Sequence, residues 1–145
     1  KIQAMGLEKR FVTLPPVPPD EIWDYTASAD LGLLVYKNES LNLCYSSGAS
    51  LRLYEYLMAG LPVLAPDFPG FPELIDGEGI GRCVAPADPT AIATAINALL
   101  SDEAAWQSMH DRALAVARDK FNWETDGGKF LRLCESLLPV LESKS

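Results

Sequence analysis

Two short runs of unbroken apolar character, Leu31–Tyr36 and Pro62–Ala65, flank one helical stretch, Leu51–Ala59, which stops at Gly60. Runs without apolar/polar alternation are what strands covered on both faces require. Strands joined through a helix pair in parallel with a right-handed crossover, so this segment constrains the fold more than any other. Phe11–Leu14 and Arg82–Ala85 read as two further strands. Asp20 is placed to cap a helix carrying Ile22, Trp23 and Ala27, and Ser50 to cap Leu51–Ala59. A short helix around Phe71–Ile75 runs into the Gly77-Glu78-Gly79-Ile80-Gly81 turn. The expected class is α/β: a Rossmann-like parallel sheet with flanking helices.

Beyond Pro86 the pattern becomes helical. Asp88 and Pro89 make a cap followed by proline, and Ile92, Ala95, Ile96, Leu99 and Leu100 form one apolar face. Ser101 is expected to cap a second helix with Trp106, Met109, Ala113 and Val116 inward. Asn122 then opens a last helix with Phe130, Leu133, Leu137 and Leu138 inward. The organisation expected is one domain over residues 1–145, of which 87–145 is the helical C-terminal part. Four strands make a small sheet, and a Gly-rich first strand-to-helix turn is absent from the sequence. The chain opens on Lys1, in what reads as the end of a helix (Ile2 to Leu7). The first strands of the sheet are therefore expected upstream, in a longer protein.

Charge and composition narrow the partners. The net charge of −8, from 12 basic and 20 acidic residues, argues against duplex nucleic acid. It leaves room for a small anionic ligand, which a helix N-terminus and one Arg can hold. Cys44, Cys83 and Cys134 have neither zinc-ligand nor redox spacing, and are expected as buried free thiols in a reducing compartment. No apolar run approaches the ~20 residues needed to cross a bilayer. The lone histidine, His110, is expected to be solvated on the polar side of a late helix. No Ser/His/Asp set, metal cluster or P-loop can be assembled from the sequence, so its residues spell a binding site without a catalyst.

In an open α/β sheet, ligands bind outside the carboxyl ends of the strands. After Leu31–Tyr36 the chain passes through Ser47-Gly48-Ala49-Ser50 into Leu51-Arg52-Leu53-Tyr54-Glu55-Tyr56. Small residues let a ligand approach the backbone, and the first-turn N–H groups offer an anion site. The expected core stripe is Leu51, Tyr54, Leu57 and Met58, with Arg52, Glu55 and Tyr56 pointing elsewhere. Arg52 and Glu55 have the spacing of a surface ion pair worth a few tenths of a kcal/mol. A carboxylate one turn inside a phosphate-binding helix is alternatively suited to ribose hydroxyls. Glu73 lies in the first turn of the next short helix, where the helix dipole favours a carboxylate.

Leu53-Tyr54-Glu55-Tyr56-Leu57-Met58-Ala59-Gly60-Leu61-Pro62-Val63-Leu64-Ala65, followed by Pro69-Gly70 and Glu73-Leu74-Ile75, resembles the donor-binding half of GT-B fold retaining glycosyltransferases of the glycosyl transferases group 1 type. Gly79-Ile80-Gly81-Arg82-Cys83-Val84, the Asp88-Pro89 cap and Phe121-Asn122-Trp123 are similar as well. The resemblance implies that Glu55 holds the ribose of a UDP- or GDP-sugar and that Arg52 assists its phosphate. It implies that Gly48 falls where the family has glycine in the donor site, and that Ala49, Ser50 and Leu51 meet the phosphate and sugar through backbone N–H groups. The family signature pairs two glutamates; the first falls on Ser47, which can hydrogen-bond a sugar hydroxyl but supplies no carboxylate. Catalytic and acceptor-binding residues are implied for an N-terminal acceptor domain of the same protein. No cofactor and no obligatory metal are implied, only the nucleotide-sugar donor as substrate. The implied setting is cytoplasmic polysaccharide biosynthesis, at or near the inner face of the membrane by peripheral association. The reaction implied for the parent protein is transfer of a hexose to a saccharide or lipid-linked acceptor, this chain alone being inactive. A non-catalytic scaffold of the same fold, favoured by Ser47, and a nucleotide-sugar epimerase are the alternatives.

Overall fold

The computed structural model describes the chain over residues 1–142, and its side chains through residue 137. Three parallel strands, β1 (Gly32–Leu33), β2 (Val63–Pro66) and β3 (Gly81–Val84), lie in the order β1-β2-β3. Gly32 stands opposite Val63, and Val63 through Pro66 stand opposite Gly81 through Val84. Seven helices accompany them among the described residues: α1 (Ile22–Ala27), α2 (Leu41–Cys44), α3 (Leu51–Met58), α4 (Phe71–Ile75), α5 (Pro89–Ser101), α6 (Glu103–Asp119) and α7 (Trp123–Glu142). The α/β class read from the sequence is the class observed.

Strand β2 explains the unbroken apolar run, because it is buried on both faces. Val63 and Ala65 enter one cluster with Leu53 and Leu57 of α3, Phe71 and Ile75 of α4, and Ala113 and Val116 of α6. Leu64 points the other way, into a second cluster with Ala95 and Leu99 of α5. A period-2 backbone with helices on both sides gives one residue to each layer in turn.

Several expectations are corrected. Phe11–Leu14 is not a strand: Phe11, Val12 and Leu14 are exposed, and no neighbouring strand satisfies their backbone. Apolar character alone does not make a strand without a ladder partner. The helix expected at Ile2–Leu7 is a single 3₁₀ turn, Gln3–Met5, ended by left-handed Gly6. On α3 the core stripe is Leu53 and Leu57, both fully buried, whereas Leu51 and Met58 are 72% and 56% exposed. The helix carries leucines on nearly every side, so its periodicity admits two stripes and the packing of α6 selects one. Ser101 is the last residue of α5, and Asp102 caps α6 by accepting from the Ala105 N–H at 3.0 Å. Its charged carboxylate caps as well as a hydroxyl and also suits the positive end of the helix. Phe130, Leu133 and Leu137 of α7 are exposed, while Leu138 lies outside the described side chains. The three cysteines are free and half-buried.

His110 is not solvated. Its Nδ1 lies 2.8 Å from the Gly60 carbonyl, which can only accept, so the proton sits on Nδ1. Its ring stacks on Trp106, whose indole N–H donates to the Asp30 carbonyl at 2.7 Å. Gly60 has φ +72, and a Cβ there would collide with the imidazole. Helix α6 is thus clamped to the C-terminal end of α3, where a glycine is needed both for the turn and for the approach.

The rims of the sheet are each touched by one side chain. Tyr56 lies over Gly32, with no room for a Cβ there, and its hydroxyl donates to the Leu33 carbonyl at 3.5 Å. At the other rim the Asp76 carboxylate accepts from the Cys83 N–H at 3.2 Å. Burial, reinforced by Asp76, holds the Cys83 thiol protonated far above the ordinary thiol range.

Glu78, between α4 and β3, receives Arg112 at 2.7 Å on one oxygen and Lys120 on the other, while the Arg112 Nε donates to its carbonyl at 2.9 Å. The hydrogen bond from Lys120 is the main reason its carboxyl is held below the ordinary carboxylate range. A depressed folded-state pKa adds stability above the ordinary value and loses it as pH falls through the folded value. Glu78→Gln should therefore lower the melting temperature at pH 7, with the gap to wild type closing as pH falls below that of an ordinary carboxyl. For the core, Leu57→Ala should cost about 3 kcal/mol in urea unfolding. Leu51→Ala should stay within about 0.5 kcal/mol of wild type.

Candidate functional site

Because the strands are parallel, the chain leaves β1, β2 and β3 at one end of the sheet and enters α3, α4 and α5 there. The segment Ser46–Ser50 lies at this end, and almost every residue in it is held. The Ser46 hydroxyl donates to the Leu43 carbonyl at 2.9 Å, and the Ala49 N–H donates to the Ser46 carbonyl at 3.0 Å. The Tyr54 hydroxyl reaches back to the Gly48 carbonyl at 3.0 Å. Ser50 is buried; its Oγ accepts from the Leu53 N–H at 3.4 Å, and its carbonyl accepts from Leu53 and Tyr54. The N–H groups of Leu51 and Arg52 precede these bonds, so they are the first-turn donors left to a ligand.

Ser47 is half-buried against the loop that follows β2. Gly70 there has φ +84, and a Cβ on it would run into the Ser47 hydroxyl. Gly48, Ala49 and Leu51 are exposed. At ~100° per residue, Glu55 falls opposite the Leu53/Leu57 stripe, half-buried on the side of α3 it shares with exposed Leu51. Arg52 is exposed one turn earlier, and among the described residues no ion pair joins it to Glu55. Their spacing permits the pair, but α3 does not form it.

Tyr54 carries the loop and the next element together. Its ring packs against Phe121 with centroids 5.4 Å apart, tilted by 50°. Burial pushes its hydroxyl above the ordinary phenol range, with Asp126 adding to the effect, so it stays a neutral donor to Gly48. An open groove of about 550 Å³ runs between Gly48, Leu51 and Tyr54 on one side and Phe121, Asn122, Trp123 and Asp126 on the other. Sequence reasoning noted Phe121-Asn122-Trp123 but not that it faces Gly48. The 72 residues between Gly48 and Phe121 hid the contact, and a Trp beside a helix cap was the available signal. Asn122 does open α7 as expected, its Oδ1 accepting from the Thr125 N–H at 2.7 Å.

Other candidates lie apart or stand alone. His110 is at the C-terminal end of α3, away from the strand ends where α3 begins. Glu73 is exposed in the first turn of α4. Among the described residues no group of three or more His, Cys, Asp or Glu side chains is placed to hold a metal. No helix there is long and apolar enough to cross a membrane. Ser50→Ala should cost about 1 kcal/mol, the usual loss for an N-cap, and should speed amide exchange at Leu53 before that of the rest of α3.

Comparisons with known proteins bear on the family and the fold. The profile of the family described as glycosyl transferases group 1 matches residues 1–102. The chain is 28% identical over 138 residues to a D-inositol 3-phosphate glycosyltransferase from Corynebacterium jeikeium, covering 95% of this chain and 31% of that protein. It is 30% identical over 119 residues to a protein of the same name from Nocardia farcinica, covering 82% and 24%. The chain thus spans less than a third of the length of these relatives. The fold is similar to that of a sucrose-phosphate synthase from Thermosynechococcus elongatus, with a TM-score of 0.76 and 22% identity over 96% of this chain and 33% of that one. The parallel sheet with its flanking helices is a fragment of a GT-B fold. Since the family profile covers well over half its length, the chain belongs to the glycosyl transferases group 1 family.

Proposed function

We propose that the chain is most of the C-terminal, donor-binding domain of a retaining glycosyltransferase, which moves a hexose from a UDP- or GDP-sugar to a saccharide or lipid-linked acceptor. The observation that carries the reading is Glu55. It stands half-buried on the side of α3 opposite the core stripe, without Arg52 as an ion-pair partner, one turn inside a helix whose first N–H groups are open at the carboxyl end of the sheet. A carboxylate there accepts from the two ribose hydroxyls. The Leu51 and Arg52 amides and the Arg52 guanidinium meet the diphosphate, and the helix N-terminus favours the charge that grows on it as the sugar leaves. Gly48, Ala49 and Ser50 keep the approach open, and Ser47 completes the loop on its sugar side.

In this reading the donor is held without an obligatory metal. An N-terminal acceptor domain of the same protein supplies the remaining groups and closes over the donor. The parent works in the cytoplasm, at the inner face of the membrane when its acceptor is lipid-linked. Both curated relatives are named for D-inositol 3-phosphate, so that acceptor belongs in any assay beside saccharides and lipid-linked sugars. The specific feature favouring a second reading, a non-catalytic module that binds donor only, is the serine at position 47 in place of a carboxylate.

Calorimetric titration of the full-length protein with UDP, GDP and their sugars separates these possibilities. Hydrogen bonds to a charged group contribute about 1.5–3 kcal/mol, so Glu55→Ala should weaken the preferred nucleotide by ~10–100-fold. An unchanged affinity would remove Glu55 from the site. Donor binding without transfer to any acceptor and without slow donor hydrolysis would favour the non-catalytic module.

A further inference from the structure

The loop entering α3 and the loop entering α4 come together where Ser47 stands against Gly70. Every other anchor of Ser46–Ser50 is a hydrogen bond within its own neighbourhood: Leu43, Ser46, Leu53 or Tyr54. Ser47 differs. Its hydroxyl makes no hydrogen bond within the described residues, and it occupies the space that any side chain on Gly70 would need. The loop on the other side is fixed. Phe68 and Phe71 are buried, the Phe71 N–H donates to the Phe68 carbonyl at 3.0 Å, and the Asp67 N–H donates to the Val84 carbonyl of β3 at 3.0 Å. Gly70 is therefore a firm stop for Ser47.

We infer that Ser47 is a positioning residue: its contact with Gly70 sets how far the Gly48–Leu51 backbone stands from the β2 loop, and so where the α3 amides meet the diphosphate. Ser47 thus acts on the donor through the backbone and not as a ligand of the sugar. The pairing is size-matched. A glycine without Cβ admits a two-atom side chain, and enlarging either member drives the loops apart. This rests on the donor-site reading above.

The test is a double-mutant cycle in the full-length protein, titrated with UDP, GDP, UDP-glucose and GDP-mannose. Gly70→Ala adds a Cβ in a left-handed backbone and should weaken the preferred diphosphate by ~10-fold. Ser47→Gly in that background should recover at least ~3-fold by clearing the collision, a coupling that residues in contact show and independent sites do not. Ser47→Leu, which leaves the glycine backbone untouched, should weaken diphosphate and sugar nucleotide by the same factor. It keeps the test open if Gly70→Ala fails to fold. Ser47→Ala weakening the sugar nucleotide but not the bare diphosphate would make Ser47 a sugar ligand and overturn the inference. So would a Gly70→Ala defect that Ser47→Gly does not relieve. Wild-type protein that binds no nucleotide brings down the donor-site reading itself, whereas binding without rescue brings down only the role given to Ser47.

Discussion

Burial of β2 on both faces is the constraint from which the rest of the domain follows. Val63 and Ala65 call for a layer on one side and Leu64 for a layer on the other. A strand so covered must exchange its backbone hydrogen bonds with neighbours in the sheet, and parallel neighbours require helical crossovers. Those crossovers bring every helix N-terminus that follows a strand to the same end. The location of the candidate site is thus settled by the strand that lies deepest, before any residue of the site is considered. The carboxylate of Glu55 gains its meaning from that placement: at the other end of α3 it would be one more surface charge.

The second constraint is the approach of α6 to α3. Leu53 and Leu57 form the buried stripe because α6 presents Ala113, Val116 and Ala117 to them, and the Trp106–His110 stack holds α6 in register against Asp30 and Gly60. With that stripe fixed, Leu51, Glu55 and Met58 turn outward. The same packing brings Phe121 under Tyr54, whose hydroxyl then fixes Gly48. A contact made for stability in the helical layer therefore ends in the loop that leads into α3.

Much of this was legible in the sequence, and the parts that were not have physical reasons. Strand β2, the Ser50 cap, the Asp88-Pro89 cap and the short helix at Phe71 were readable, since each is specified by local chemistry or strict patterning. Phe11–Leu14 was misread because β propensity describes a residue's fitness for a pleated surface, and no such surface lies beside it. The α3 stripe was misread because Leu51, Leu53, Leu57 and Met58 offer two faces of comparable apolarity, which only a partner helix can rank. His110 was misread because its partner, the Gly60 carbonyl, lies 50 positions away in sequence. On the site side, spacing and resemblance single out Glu55 and Arg52 as candidates, and the structure adds that α3 carries both without an ion pair between them. The meeting of Ser47 with Gly70 and the groove between Gly48 and Trp123 are tertiary facts that no spacing encodes.

The hydrogen bonds at the sheet rims bear on how this domain lives in a crowded solution. A bare strand edge invites any extended segment to lengthen the ladder, the route by which β proteins grow into insoluble assemblies. At β3 that route is closed by a charge: an incoming strand would have to displace Asp76 from the Cys83 amide and strand a carboxylate beside a half-buried thiol. At β1 the guard is a neutral phenol on a long bond to the Leu33 carbonyl, next to an exposed leucine. The two edges are therefore unequal barriers. A strand added at β3 would have to displace a carboxylate, and one added at β1 only a neutral phenol.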